Sequence, residues 1–448
     1  MSLDETLLKY YNYIKKSIIF SSFLSWSLCL FCSCTLPQAR FLLPSSTTLG
    51  MTHLLLSDGT VFQGEAFGSF DSAQDDTFGT GEVVFNTGMA GYPESMTDPS
   101  YRGQILVTTY PLIGNYGVPS EELNEWGFSK NFESEEIHIR GLVVAQVSDT
   151  YSHHSAVSSL QRWMEHHKIP GITGVDTRAL TKHLREKGVM LGRITHDSAA
   201  ISDKRLAVSE IEDPNSRNLV AEVSCKEPIT YNPKPETSNE KPVTILSYDC
   251  GMKRNILRSF LRRGVKVIRV PWDYDLDSCK EHFDGVFISN GPGDPKTCVP
   301  TIKAIKRAIE KNIPTFGICL GNQLMALAVG GDTFKLPYGH RGVNQPCLER
   351  RAISDKRQAD SLLPPAARYP LPAEHHCIIT SQNHGFAVDE KSLPAGWHVW
   401  WKNGNDGTVE GIRHDSGRFF AVQFHPEAAP GPEDAGYLFD QFIACLKV

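Results

Sequence analysis

Few features of this 448-residue sequence point to nucleic acid, nucleotides or disulfide bonds. The net charge is -6, with 45 Lys and Arg against 51 Asp and Glu, so the chain lacks the basic surface that nucleic acid requires. It contains no P-loop and no dinucleotide-binding glycine motif, so any ATP chemistry must take place on a partner chain. The eleven cysteines are scattered, which is typical of a reducing cytosol. With no internal repeat, the length is natural for two domains and an extension.

The first fifty residues differ from the rest of the chain. Residues 18–34 are apolar but rich in serine, and two lysines precede them. This segment is typical of a signal sequence, a transit peptide or a membrane anchor. Its three cysteines have no further ligand cluster that would support a metal site. We expect that Met51 is the true start and that residues 1–50 are a gene-model artefact, which N-terminal sequencing of the native protein would test.

The strongest catalytic signal is a cysteine on a predicted strand-to-helix turn. Residues 313–318 are an apolar run typical of a buried strand, and residues 320–329 have the apolar spacing of a helix. Gly317 and Gly321 flank Cys319 and allow a tight turn with close backbone approach. Cys319 is therefore predicted to project from the carboxyl end of a strand, where open α/β sheets bind ligands. The same geometry carries the nucleophile of the α/β-hydrolases.

A histidine and a glutamate much farther along the chain are candidate partners for that cysteine. His425 follows a predicted strand, and Pro426 keeps the chain extended beyond it. Because Glu427 lies two residues farther along an extended chain, its side chain and that of His425 project to one side. The carboxylate can then orient the imidazole. A helix N-terminus and a neighbouring imidazole stabilise a thiolate, so these residues and Cys319 are a candidate triad.

A glycine-rich loop is the third signal. Residues 289–295 read Ser-Asn-Gly-Pro-Gly-Asp-Pro and follow the predicted strand 285–288. Alone, the loop is a turn signal. Its glycines also let backbone N–H groups approach a developing negative charge, which makes it a candidate oxyanion hole. A lone cysteine after a strand is usually a core residue, and a lone His-Pro-Glu is usually a surface turn. The three together, in this order, favour catalysis.

These three motifs resemble the triad-type (class I) glutamine amidotransferases. Several synthases carry such a domain, so this part leaves the product open. The upstream half is similar to the N-terminal domain of the carbamoyl-phosphate synthase small subunit, which other class I amidotransferases lack. The resemblance covers most of residues 51–448. The segments that carry it upstream are residues 81–87, 91–92, 97–101, 110–117 and 175–182, with 248–256 at the entrance to the second domain.

The resemblance implies a role for individual residues. Cys319 would attack the side-chain amide carbon of glutamine, and His425, oriented by Glu427, would transfer protons. Backbone N–H groups of Leu320 and Gly293 would hold the oxyanion. Ser100 would reach across from the first domain, so the site would lie near the domain junction. The positions that correspond to the family's glutamine-binding residues are Ser100, Gly291, Gly293, Leu320, Gln323, Asn383, Gly385 and Phe386.

The resemblance also implies partners. The chain would bind L-glutamine and form a heterodimer with the carbamoyl-phosphate synthase large subunit, to which ammonia would pass. That subunit would join ammonia to bicarbonate using ATP and Mg, for arginine and pyrimidine synthesis. No metal and no cofactor are expected on this chain. A cytoplasmic location is expected, and the mature domains should bind neither nucleic acid nor a membrane.

The sequence predicts an α/β protein in two parts. Residues 51–224 would form the mixed α/β small-subunit domain, 225–242 a polar linker, and 243–448 the amidotransferase domain. Strands and helices alternate in the latter, which favours a mostly parallel sheet covered on both faces. The predicted strands there are 243–248, 265–270, 285–288, 313–318 and 419–424, and the predicted helices are 253–263, 299–311, 320–329 and 433–446. In the first domain, helices are predicted at 156–167 and 178–186.

Three features depart from the family pattern. Asn322 stands where the family's small subunits usually have His, and residues 339–346 are a looser version of a family loop. Residues 349–375 look inserted, and their Arg, Pro and Ala content predicts a surface loop. We expect the triad to remain active.

Three other functions stay open. The chain could be the amidotransferase of another synthase, although the N-terminal domain argues against this. It could be a non-catalytic docking or regulatory subunit, although the joint presence of Cys319, His425 and Glu427 argues against that. A free-standing thiol hydrolase on the same fold would show full activity without any partner.

Overall fold

The computed structural model describes residues 51–70, 79–196, 211–234, 242–350 and 376–447. The predictions for residues 1–50 and for nearly all of the 349–375 insertion lie outside these ranges. Residues 49–448 belong to one compact unit, within which the contacts below are described. None of the helices in the described ranges has the length and apolar character needed to cross a membrane.

The first part of the chain forms a closed barrel of seven strands, in the order β1-β11-β3-β4-β7-β10-β2. Along β3, Val83 and Phe85 pack into one hydrophobic cluster, whereas Val84 packs into another. This alternation follows from the two-residue period of a strand and leaves both faces of the barrel wall buried. The strands of this first part, four of which (β5, β6, β8 and β9) lie outside the barrel, are β1 Met51–Leu56, β2 Val61–Gly68, β3 Thr80–Asn86, β4 Gln104–Thr108, β5 Leu112–Ile113, β6 Val118–Pro119, β7 Gly141–Val143, β8 Gln146–Val147, β9 Ala156–Ser158, β10 Pro170–Thr173 and β11 Met190–Thr195.

Within the described residues, four helices accompany the barrel, and one of them begins later than predicted. The helices are α1 Tyr92–Thr97, α2 Leu160–His166, α3 Thr177–Lys187 and α4 Val220–Val223. The prediction of a helix from residue 156 was wrong at its start, because residues 156–158 form β9. Helix α2 begins after Ser159, whose side chain accepts a hydrogen bond from the N–H of Arg162. Helix α3 agrees with its prediction to within one residue and is capped by Asp176.

The second part of the chain is a ten-stranded sheet, in the order β12-β14-β13-β15-β16-β21-β20-β19-β17-β18. Five neighbouring strands are parallel to one another, namely β14, β13, β15, β16 and β21. Antiparallel strands extend the sheet on both sides of these five. The predicted α/β fold class is confirmed. The sheet is mixed and not mostly parallel as predicted, because five of its nine strand pairs in the described residues are antiparallel. The strands are β12 Ile229–Tyr231, β13 Thr244–Asp249, β14 Lys266–Pro271, β15 Gly285–Ile288, β16 Thr315–Ile318, β17 Thr333–Glu349, β18 His376–Val388, β19 Trp397–Asn403, β20 Val409–His414 and β21 Phe419–Val422.

Helices cover both faces of this sheet. Its helices are α5 Arg254–Arg262, α6 Val299–Glu310, α7 Leu320–Ala328 and α8 Tyr437–Leu446. On one face, Phe287 and Phe316 pack against α5 and α8 through Phe260 and Phe442. On the other face, neighbouring residues of the same strands pack against α6 and α7. Burial on both faces explains why these strands are continuously apolar.

The segment predicted as a linker contains a strand. Strand β12 pairs antiparallel with β14 and extends the sheet at its edge. The prolines around it suggested a linker, but the Ile-Thr-Tyr run has the β-branched and aromatic residues that strands prefer. The domain limits of 51–224 and 243–448 stay predictions.

Candidate active site

Cys319 lies at the sharp turn between β16 and α7. Its backbone has φ 54° and ψ -102°, a conformation that costs energy for a non-glycine residue and that clusters at functional sites. The flanking glycines make the turn possible. A Cβ on Gly317 would lie 2.7 Å from the backbone of Gly321, and a Cβ on Gly321 would lie 2.4 Å from the carbonyl oxygen of Ile288. The side chain is buried, with Sγ 3.6 Å from the carbonyl oxygen of Asn383.

His425 and Glu427 follow β21, the strand next to β16. The Nδ1–H of His425 donates to Glu427 Oε1 at 2.6 Å, and both side chains are buried. The backbone N–H of His425 donates to the carbonyl of Ser381 at 2.8 Å, which fixes the segment against β18. A third charge completes the arrangement, because the ammonium of Lys253 lies 3.1 Å from Glu427 Oε1.

The charges in this site stabilise one another. Burial acts to raise the pKa of Glu427, but the positive charges of Lys253 and His425 outweigh it and lower this pKa to about 2. Burial acts to lower the pKa of His425, but the negative charges of Glu427 and of a Cys319 thiolate outweigh it and raise this pKa to about 10. The arrangement therefore favours an ionised carboxylate on Glu427 next to a positively charged imidazolium on His425.

Seven of the eight predicted glutamine-binding residues line the same pocket as Cys319. The eighth, Leu320, directly follows Cys319, and its side chain packs into the core on the α6–α7 face of the sheet. The seven that line the pocket are Ser100, Gly291, Gly293, Gln323, Asn383, Gly385 and Phe386.

The first domain reaches this pocket through the segment 98–100. The Nδ2 of Asn383 donates to Asp98 Oδ2 at 2.9 Å, and the Nδ2 of Asn290 donates to the hydroxyl of Ser100 at 2.9 Å. All four side chains are buried. Residues from both parts of the chain therefore shape one pocket.

Residues 54–194 match the family model described as "Carbamoyl-phosphate synthase small chain, CPSase domain". Residues 246–445 match "Glutamine amidotransferase class-I". The carbamoyl phosphate synthase arginine-specific small chain of Aspergillus fumigatus is 45% identical over 393 residues, which are 88% of this chain and 79% of that protein. This chain belongs to the carbamoyl-phosphate synthase small-chain family. The resemblance identified from the motifs is thereby confirmed.

Other relatives of this small-chain family member are either of similar length or much longer. The small chain of Neosartorya fischeri is 44% identical over 414 residues, covering 92% of this chain and 83% of that protein. The multifunctional protein CAD of Squalus acanthias is 48% identical over 399 residues, covering 89% of this chain. The chain spans only 16% of the length of that relative.

Sequence reasoning missed three residues of this small-chain site. Lys253 contacts Glu427 and Asp98 contacts Asn383, and the two residues of each pair are far apart in sequence. Arg341 lines the pocket, is 4% exposed, and donates from Nη1 to the carbonyl of Tyr338 at 2.8 Å. It lies in the segment 339–346, which was compared with a family loop and is part of strand β17 in the structure. The departure of this segment from the family pattern was the available signal.

Asn322, the other departure, does not line the pocket. Its side chain is fully buried between α7 and β21, and its Nδ2 donates to Gln423 Oε1 at 3.2 Å. Gln323 donates to the same oxygen at 3.2 Å. Asn322 therefore acts on the site only through its neighbours.

Proposed function

We propose that this chain hydrolyses L-glutamine to glutamate and ammonia, as the glutaminase subunit of a carbamoyl-phosphate synthase. The observation that carries the proposal is the buried His425–Glu427 hydrogen bond, placed in the same site as Cys319 on its strained turn. The two family matches support the assignment of substrate and complex.

In the proposed reaction, the Cys319 thiolate attacks the side-chain amide carbon of glutamine. The oxyanion is held by the backbone N–H groups of Leu320 and Gly293, the former being at the N-terminus of α7, where N–H groups lack intrahelical acceptors. His425 then gives its proton to the leaving ammonia, and a thioester with Cys319 remains. A water molecule gives a proton to His425, attacks the thioester, and releases glutamate and the thiolate.

Arg341 is proposed to receive the α-carboxylate of the substrate. Its guanidinium is buried, and no carboxylate forms an ion pair with it among the described residues, where Nε also lacks a hydrogen-bond partner. A buried cation without a counter-charge is costly, and a carboxylate is its best bidentate partner. Glutamine brings such a group into the pocket that Arg341 lines.

The ammonia is proposed to pass to a large subunit that uses ATP and Mg to form carbamoyl phosphate. The relatives support this in two ways, because some are small chains and others are multifunctional proteins of which this chain would be one part. Arginine synthesis, pyrimidine synthesis or both would use the product. We place the reaction in the cytoplasm, in keeping with the free cysteines of the described residues.

The deciding experiment is glutamine hydrolysis by the purified full chain, with and without the candidate large subunit, bicarbonate and ATP. Low activity that rises on mixing, with carbamoyl phosphate formed, is expected. Full activity that the partner does not change would instead indicate an independent thiol hydrolase. No activity in either case would indicate a docking subunit.

A further inference from the structure

Three buried side chains converge behind the glutamine-binding strand β18, and the triad does not include them. One ligand atom each from His340 on β17, His384 on β18 and Glu410 on β20 lies within 4.8 Å of the other two. We propose that these three residues bind a divalent transition-metal ion of the zinc class. The sequence predicted no metal on this chain, because the three residues are far apart in it and form no motif.

The hydrogen bonds of the two imidazoles show which atoms are free to bind a metal. The Nδ1–H of His384 donates to the carbonyl oxygen of Phe386 at 2.8 Å, which leaves a lone pair on Nε2. The Nε2–H of His340 donates to Asp406 Oδ2 at 2.8 Å, which leaves a lone pair on Nδ1. Both lone pairs face Glu410, so three acceptors surround one point, and a positive species must lie between them.

One of these acceptors, Nε2 of His384, has no hydrogen-bond partner among the described residues, and neither has the second carboxylate oxygen of Glu410, Oε2. Both side chains are more than nine-tenths buried. The Nδ2 of Asn403 lies 3.1 Å from Glu410 Oε1 and 3.4 Å from His340 Nδ1. A proton on His340 would satisfy the pair with Glu410, but it would leave Nε2 of His384 unsatisfied. A metal ion satisfies all three groups.

The two distances to the Glu410 carboxylate are close to those around a zinc-class ion. Around a tetrahedral zinc, neighbouring ligand atoms are about 3.3–3.5 Å apart. Nδ1 of His340 and Nε2 of His384 lie 3.3 and 3.7 Å from Glu410 Oε1, and the latter distance is too long for a hydrogen bond. Two imidazoles and a carboxylate are ligands that suit zinc.

The surroundings of the two histidines also fit. Metal-bound imidazoles usually donate their other N–H to a carboxylate or a carbonyl, as His340 does to Asp406 and His384 to Phe386. Three protein ligands leave a fourth position for water. The side chain of Asp406 is 41% exposed, so this edge of the cluster provides a route of entry.

Such an ion would fasten β17, β18 and β20 together. His384 lies between Asn383 and Gly385, which line the candidate glutamine pocket. Metal binding is therefore expected to raise the thermal stability of the chain. It is also expected to lower the KM for glutamine, and this second effect alone rests on the proposed function.

The test uses the full chain, treated with a chelator, incubated with ZnCl2 or CoCl2, and gel-filtered. Three quantities are measured: metal per chain, the visible spectrum of the cobalt form, and Tm. Glu410→Gln keeps the size of the side chain and removes its charge. His282→Asn is the matched control, because His282 also contacts a carboxylate, at 3.0 Å from Asp284, but lies outside the cluster.

We expect the unmodified chain and His282→Asn to retain one ion per chain, show a tetrahedral cobalt spectrum, and gain several degrees in Tm with zinc. Glu410→Gln should lose all three properties. If that variant does not fold, as judged by circular dichroism, His384→Asn replaces it with the same expectation. The proposal is overturned if no ion is retained, if the folded variants retain it equally, or if the cobalt spectrum shows sulfur ligands. Failure of glutamine hydrolysis would not bear on the ion, since none of the three readouts depends on activity.

Discussion

Two buried histidine–carboxylate groups among the described residues differ in whether a further charge lies next to the carboxylate. At the candidate triad, His425 contacts Glu427, and the ammonium of Lys253 lies 3.1 Å from that carboxylate. At the cluster behind β18, Glu410 contacts two histidines, and it forms no ion pair with a lysine or arginine of the described residues. The first site thus carries its own cation, whereas the second must obtain one as a proton or a metal ion. A buried histidine–carboxylate pair therefore does not indicate a function by itself, because the function depends on the charges next to the pair.

The largest expected effect comes from removing the Cys319 thiol, which belongs to only one of the two sites. Cys319→Ala should lower glutamine-dependent synthesis by at least about 10³-fold, because no other group can form the thioester. Ammonia-dependent synthesis by the complex should continue, since the two reactions occupy different sites. Both rates are measured on the assembled enzyme. Cys377→Ser is the matched control, because Cys377 is exposed and lies outside the pocket. Glutamine-dependent synthesis that persists in Cys319→Ala would revive the docking-subunit interpretation.

The same substitution at Glu427 and at Glu410 tests whether the two carboxylates have different roles. Glu427→Gln should lower kcat for glutamine hydrolysis by about 10²-fold, because the imidazole loses its orienting charge. It should also lower stability, since Lys253 would be left buried without its counter-charge. Glu410→Gln should change kcat by less than about tenfold and act through KM. Steady-state kinetics of both variants distinguish the two roles, and equal losses of kcat would contradict them.

Arg341 provides a test of the substrate end of the pocket. Arg341→Lys keeps the charge but loses the bidentate geometry, and we expect it to raise the KM for glutamine by about tenfold with little change in kcat. A glutamine analogue with a neutral group in place of the α-carboxylate is the control. It should inhibit the variant and the unmodified chain equally. If Arg341→Lys prefers glutamine over this analogue as strongly as the unmodified chain does, Arg341 does not bind the α-carboxylate.

The smallest expected effect is a pH dependence of stability. The pKa of His425 is raised from 6.5 to about 10 by folding, with burial opposing and Glu427 and Cys319 causing the rise. The charged imidazole therefore contributes stability that is fully present below pH 6.5 and is lost as the pH rises toward 10. The free energy of unfolding, measured with denaturant from pH 6 to pH 10, should be higher for the unmodified chain than for His425→Gln at pH 6. This difference should shrink as the pH rises. A constant difference between the two would contradict the charged state.

Motifs and apolar runs were sufficient to predict the core of the second domain. Strand β15 has the predicted bounds. Strands β13 and β14 differ from their predicted bounds by one residue at each end, and helix α7 differs by one residue at its C-terminal end. The turn at Cys319 was predictable because the need for glycine on either side is a local requirement. Helix α2 was placed wrongly because its start depends on one serine cap, which a short apolar run does not reveal.

The remaining features depend on contacts between distant segments. Asp98 and Asn383 are 285 positions apart, and no local pattern indicates that they form a hydrogen bond. The same holds for Lys253 and Glu427, and for the three residues of the proposed metal site. Family resemblance supplied the predicted glutamine-binding positions, but not Arg341, because that residue lies where this chain departs from the family pattern.

One contact between the two halves of the chain bears on how separable they are. Glu133, beyond the barrel strand β4, is fully buried, and it binds the guanidinium of Arg258 and the backbone N–H of Asn255 on α5. Asn255 in turn donates to the backbone carbonyl of Glu427. A fragment that begins at the second domain would leave Arg258 without its counter-charge and would release the segment that carries Glu427. In this chain, therefore, the amidotransferase fold is not an exchangeable module: the half without Cys319 helps to hold the half that contains it.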